Sequence, residues 1–155
     1  MEILMEINEY LHTFNIPVII IRLLLATFCG GIIGFCRSVK KRGAGFKTHI
    51  LVCLGASLIM MTGEYIFENV SGGTGDVARL AAQVVSGVGF LGAGTIMVTG
   101  HNQVKGLTTA AGLWACSGIG LAVGIGFYSG GIICTLIVFL VYNYMQKIDD
   151  IAYEH

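Results

Sequence analysis

The chain places glycine inside its longest apolar runs, and that combination restricts what it can fold into. Between Ser86 and Gly94, four glycines (Gly87, Gly89, Gly92 and Gly94) lie in an uninterrupted apolar stretch. Glycine in a helix interior costs about 1 kcal/mol against alanine in water. In a bilayer the same residue lets backbones touch, where lipid tails supply no hydrophobic drive between helices. A second glycine-rich run opens at Gly106 and carries Gly112 and the pair Gly120-x-x-x-Gly124, and an earlier run carries Gly30-x-x-x-Gly34. All of these except Gly106, nine glycines, are the expected helix-packing positions.

Composition supports a membrane setting. Charged residues make up 12% of the 155, against about 25% in soluble domains, and mean hydropathy is +0.80. The charges fall in a few short segments, leaving apolar stretches long enough to cross a bilayer. The single proline, Pro17, argues against long linkers, and zero formal net charge gives no reason to expect nucleic acid as a partner. The five cysteines lack C-x-x-C spacing and read as small hydrophobes. Residues 1–13 contain Glu2, Glu6 and Glu9 without Lys or Arg, unlike the basic start of a signal peptide. They form an amphipathic or disordered segment, residues 14–146 a transmembrane domain, and 147–155 a cytoplasmic tail.

The fold class is therefore all-α, a polytopic transmembrane helical bundle with about five spans. The expected spans are 16–36, 48–67, 77–99, 107–126 and 131–145. The loop after the first span holds five basic residues, Arg37, Lys40, Lys41, Arg42 and Lys47. With Lys105 and Lys147, one side receives seven basic residues and the loops of the other receive none. The positive-inside rule then places the N-terminus outside and the C-terminus in the cytoplasm. A shift of 57 residues pairs Arg22 with Arg79 and Gly30 with Gly87. A shift of 61 pairs Gly45 with Gly106, Thr48 with Thr109 and Gly63 with Gly124. Both suggest a repeated two-helix hairpin plus one extra helix.

Gly87-Val-Gly-Phe-Leu-Gly92 matches the dinucleotide pattern G-x-G-x-x-G, but it lies inside an apolar span instead of between strand and helix. Helix packing is the better account. Ionisable groups at membrane depth are the sharper signal, because each is costly unless paired. Arg22 lies well inside the first span, while Glu64, Asp76, Arg79 and Gln83 fall in the same outer half. These five are expected to form an intramembrane polar cluster. Its carboxylates could touch Mg²⁺, which needs few protein ligands, although the arginines argue against a tight site. No cofactor is expected otherwise. His49 and His101 read as interfacial groups, and no nucleophile–base pair or H-E-x-x-H motif points to catalysis.

At these residues the chain resembles the MgtC/SapB family of bacterial inner-membrane proteins. The resemblance rests on five ordered blocks: Arg22 through Gly34-Phe-Cys-Arg37, the stretch from Ala44 to Gly55, Asp76-Val-Ala-Arg79 with Gln83, Ser86 to Gly94, and Val104 to Trp114. It makes Arg37, Lys47, Thr48, His49, Lys105, Thr108 and Thr109 a cytoplasmic-side motif. Two departures stand out: Cys36 occupies the position of a family glutamate, and the short tail resembles membrane-only members lacking a soluble C-terminal domain. The resemblance implies a non-enzymatic role in Mg²⁺ homeostasis, adaptation to low magnesium and, in pathogens, virulence. It also implies modulation of other membrane proteins such as ATP synthase. Expected partners are the lipid bilayer and further copies of the chain in a homo-oligomer. A transporter or channel for Mg²⁺ or another small ion is the alternative.

Overall fold

The computed structural model describes residues 15–39, 43–99 and 103–145. Residues 1–13, expected as an amphipathic or disordered segment, together with Lys40, Lys41, Arg42, His101, Lys147 and the tail, lie outside the described residues. Among the described residues five helices follow one another: α1 (Ile16–Val39), α2 (Phe46–Tyr65), α3 (Ala78–Ala93), α4 (Leu107–Gly124) and α5 (Tyr128–Leu140). A π-helical turn, Ile66–Val70, extends α2, and another, Val141–Met145, extends α5. The protein is an all-α helical bundle. Among the described residues three stretches, Ile16–Ser38, Phe46–Val70 and Leu107–Gly124, are long and apolar enough to cross a membrane.

Local chemistry sets the helix starts. Pro17 stands in the first turn of α1, where its missing N–H leaves no bond unmade. Ser38 on α1 takes the N–H of Phe46 at 2.7 Å and so fixes the entry to α2. Asp76 accepts from the Ala78 amide at 2.9 Å at the start of α3. Gly106, immediately before α4, has φ +97°, and a Cβ there would collide with the Thr95 carbonyl. Only glycine fits that turn.

The third expected span, 77–99, is corrected. Helix α3 stops at Ala93, and Gly94 to Ile96 turn the chain through bonds such as Thr95 N–H to the Gly92 carbonyl at 2.9 Å. Strands β1 (Met97–Thr99) and β2 (Gln103–Lys105) then pair antiparallel, with Val98 opposite Val104. At 16 residues α3 is about 24 Å long, short of the ~30 Å hydrocarbon thickness. The second expected span runs further, to Val70, the fourth ends at Gly124, and the fifth begins three residues earlier, at Tyr128.

Helix α2 lies at the centre, against α1 on one side and α4 on the other. Ala26, Cys29 and Ile33 of α1, Cys53 of α2, and Cys116, Ile119 and Val123 of α4 form one buried cluster. Ala56, Val84, Val88 and Leu113 form a second, beneath α3. Large apolar side chains such as Phe28, Phe35, Phe90 and Trp114 point outward, as a lipid-facing surface requires.

The glycines divide sharply. A Cβ on Gly30 would stand 2.7 Å from the His49 carbonyl oxygen, and one on Gly34 2.8 Å from the Phe46 Cα. A Cβ on Gly124 would stand 2.6 Å from the Ser57 carbonyl oxygen, and one on Gly120 would overlap that of Cys53. Gly112 makes room for the Tyr142 hydroxyl, and Gly92 faces Ala110 at ordinary contact distance. Gly87 and Gly89 have nothing within 4 Å, and Gly94 meets only its own helix's carbonyls. The densest glycine motif is thus not the tight seam; α4 and α1 against α2 are. The repeat is matched only in part: Gly45 and Gly106 both precede helices, whereas Gly30 is packed and Gly87 is open.

Overpacking typically costs about 1–3 kcal/mol, and at Gly124 the obstacle is backbone. Gly124→Leu and Gly120→Leu should therefore lower the melting temperature in detergent strongly. Gly92→Leu should lower it less, and Gly89→Leu should leave it near the parent value.

Candidate functional site

Two polar centres occupy opposite ends of the bundle, and each is organised by an arginine of α1. Arg22 and Arg37 are 15 residues apart, about 22 Å along a helix.

Arg22 is 1% exposed. Its Nη1 donates to Glu64 Oε2 at 2.6 Å and to the Gly124 carbonyl at 2.8 Å, and its Nε donates to the Tyr128 hydroxyl at 3.1 Å. One guanidinium therefore joins α1 to α2, α4 and α5. The fork of donors on arginine suits such a junction, since it stays charged and reaches several acceptors at once. Gly124 serves twice: its bare Cα admits α2, and its carbonyl, near the end of α4, accepts from Arg22.

The expected five-residue cluster is only partly assembled. Arg22 and Glu64 meet, and their ion pair is largely buried. Asp76 and Arg79 are exposed at the start of α3, where Asp76 is occupied in holding the first turn. Gln83 is exposed along α3 and lines a cleft facing α2. The arginine at 79 thus lies in an environment unlike that of Arg22, although the 57-residue shift pairs them. Sequence reasoning missed Tyr128 and the Gly124 carbonyl, which carry no charge and lie more than a hundred residues from Arg22.

The second centre gathers part of the cytoplasmic-side motif. Arg37 Nη2 donates to the Thr109 hydroxyl, and its guanidinium lies 5.0 Å above the Tyr142 ring, within cation–π range. The Tyr142 hydroxyl donates to the Thr108 carbonyl at 3.2 Å. His49 is fully buried, and its Nδ1 stands 2.8 Å from the Gly45 carbonyl. A carbonyl only accepts, so Nδ1 carries a proton, and in the neutral ring Nε2 is an acceptor. That Nε2 has no hydrogen-bond partner among the described residues, and neither does the buried Ser57 hydroxyl, two turns along α2. Lys47, Thr48 and Lys105 stay at the surface of this end, and Thr108 contributes its backbone. Tyr142 is the member the motif did not include.

Among the described residues no three His, Cys, Asp or Glu side chains group as a metal cage would require. What the two centres do chemically is to tie helices together through fixed charge.

Removing one partner of a buried ion pair costs about 3–5 kcal/mol, whereas replacing both can be nearly neutral. Glu64→Leu should therefore destabilise the protein markedly. Adding Arg22→Met to it should recover much of the loss, as a double-mutant cycle of detergent unfolding would read out. Tyr128→Phe should cost about 1.5–3 kcal/mol, the worth of a hydrogen bond to a charged group.

Comparison with known proteins covers most of this architecture. The profile described as the MgtC family matches residues 23–151. A protein of Escherichia coli (strain K12) named "Putative magnesium transporter YhiD" is 48% identical over 94 residues, 58% of this chain and 43% of that protein. "Protein MgtC" of Brucella abortus (strain 2308) is 44% identical over 84 residues, 54% of this chain and 33% of that protein. "Protein MgtC" of Salmonella typhimurium (strain LT2) is 42% identical over 90 residues, 58% of this chain and 36% of that protein. The matched stretch is less than half the length of each of these relatives. No solved structure matches the chain.

Proposed function

The chain belongs to the MgtC family, and from that membership we propose that it is a non-enzymatic protein of the bacterial inner membrane. In this reading it serves Mg²⁺ homeostasis and adaptation to low magnesium by modulating another membrane protein, with ATP synthase a candidate. Its N-terminus is outside and its C-terminus cytoplasmic, with Arg37, Lys47 and Lys105 at the cytoplasmic end. The name of the Escherichia coli relative supports the link to magnesium. The observation that carries the choice of modulator over carrier is the Arg22–Glu64 contact at 2.6 Å. A carboxylate at membrane depth is the group Mg²⁺ would need, and here a cation of the chain already satisfies it, braced by Tyr128 and the Gly124 carbonyl. Passing a divalent cation would require breaking a junction that holds four helices.

A second reading, passage of Mg²⁺ or another small ion, draws on a different observation. His49 Nε2, in the second centre, and the Ser57 hydroxyl, two turns along α2, are buried and lack partners among the described residues. Buried polar groups without partners often mark water or an ion.

Proteoliposomes containing only this protein and an internal Mg²⁺ indicator separate the two. The expected result is uptake no faster than into empty vesicles; uptake abolished by Glu64→Ala would overturn the modulator reading. In a bacterium lacking its own family member, the chain should restore growth in low magnesium. Arg22→Ala should fail to do so, while Arg79→Ala should succeed.

A further inference from the structure

Helices α2 and α3 enclose a cleft of about 850 Å³ that neither polar centre uses. The helices touch at one end, where a Cβ on Gly63 would meet Leu80 at 3.4 Å and the Val77 carbonyl at 3.5 Å. Toward the basic end they part, and Gly55 on α2 and Gly87 on α3 have nothing within 4 Å. The floor is Ala56, Val84 and Val88, which belong to one buried cluster with Leu113 behind them. The walls are mostly apolar; Gln83, exposed on α3, also lines the cleft, and the hydroxyl of Thr62 there is satisfied by the Leu58 carbonyl at 2.8 Å. The side chains of Lys47 and Thr48 line the open end and are exposed.

We propose that this cleft holds an anionic phospholipid, with one acyl chain lying between α2 and α3 and its phosphate meeting Lys47 and Thr48. Charge and shape select that occupant. A lysine at the end of an apolar groove keeps its stem along the groove and its ammonium at the interface, the depth at which a phosphate lies. Anionic headgroups are attracted there, and zwitterionic ones much less. A helix of a second copy, about 10–12 Å across, would not follow a groove that closes to van der Waals contact at Gly63. An acyl chain is slim enough to taper with it. The glycines at 55 and 87 leave the width, which explains why Gly87 is open where a packing seam would be closed.

The test is titration of the detergent-purified protein with dioleoyl phosphatidylglycerol and dioleoyl phosphatidylcholine, read by native mass spectrometry and by melting temperature. Inorganic phosphate serves as a headgroup without chains. Phosphatidylglycerol should bind about fivefold tighter than phosphatidylcholine, the size of one lysine–headgroup contact. Lys47→Gln should remove that preference and leave the lipid-free melting temperature unchanged. Gly87→Leu fills open space, so it should fold normally and lose binding of both lipids, and phosphate alone should have no effect. Equal affinity for the two lipids, full stabilisation by phosphate, or undiminished lipid binding by Gly87→Leu would overturn the proposal. So would loss of folding in that variant, or a disulfide-linked dimer of Gly87→Cys in native membranes with the exposed Cys134 and the other native cysteines replaced by alanine, which would put a second copy in the cleft.

Discussion

Helices in lipid gain nothing from leaving the lipid, so this bundle depends on how closely two backbones approach: α4 against α2. Gly120 and Gly124 present bare Cα atoms to the carbonyls of Cys53 and Ser57. That approach maximises dispersion contact, the main attraction available between helices in a bilayer. It also brings the Gly124 carbonyl within reach of Arg22. The seam and the buried charge are consequently one construction. A side chain at Gly124 would push α4 off α2 and pull an acceptor from the guanidinium, leaving a buried cation less well compensated.

Arg22 and Arg37 act as fasteners at the two ends of α1. Arg22 joins Glu64, Gly124 and Tyr128; Arg37 joins Thr109 and lies over Tyr142. Each reaches from α1 to α4 and to α5 or its extension. The cost of burying a charge is offset only where its donors are met, so these contacts specify one arrangement of the helices as well as holding it. Helix α3 stands apart from this scheme. It is short, touches α2 near Gly63 and α4 near Ala110, and carries no residue of either centre, which leaves the cleft beside it open.

Much of this was legible in the sequence, and the failures have physical causes. The spans corresponding to α1, α2 and α4 were found because long apolar runs are unambiguous. The end of α3 was missed because Ile96, Met97 and Val98 continue an apolar run, and a short β-branched run does not distinguish helix from strand. Arg22 needs a carboxylate by the cost of burying charge, and Glu64 is among the partners that the sequence offers. Asp76 and Arg79 were misplaced because spacing along a helix does not report depth. Tyr128 and Tyr142 were not identified because a hydroxyl on an aromatic ring gives no composition signal. For glycine, spacing mattered more than density. Gly30/Gly34 and Gly120/Gly124 are four apart and share a helix face, whereas Gly87 and Gly89, two apart, do not.

The central claim is that the α1–α2–α4 interior is dry and closed between its two charged ends. Cys53, fully buried in that interior on α2, reports on it directly. In a variant retaining Cys53 as its only cysteine, small water-soluble thiol reagents applied to either face of native membranes should leave it unmodified. The same reagents should modify it fully after denaturation in dodecyl sulfate. Rapid modification of Cys53 in the intact bilayer would mean that water reaches the seam, and would contradict the account.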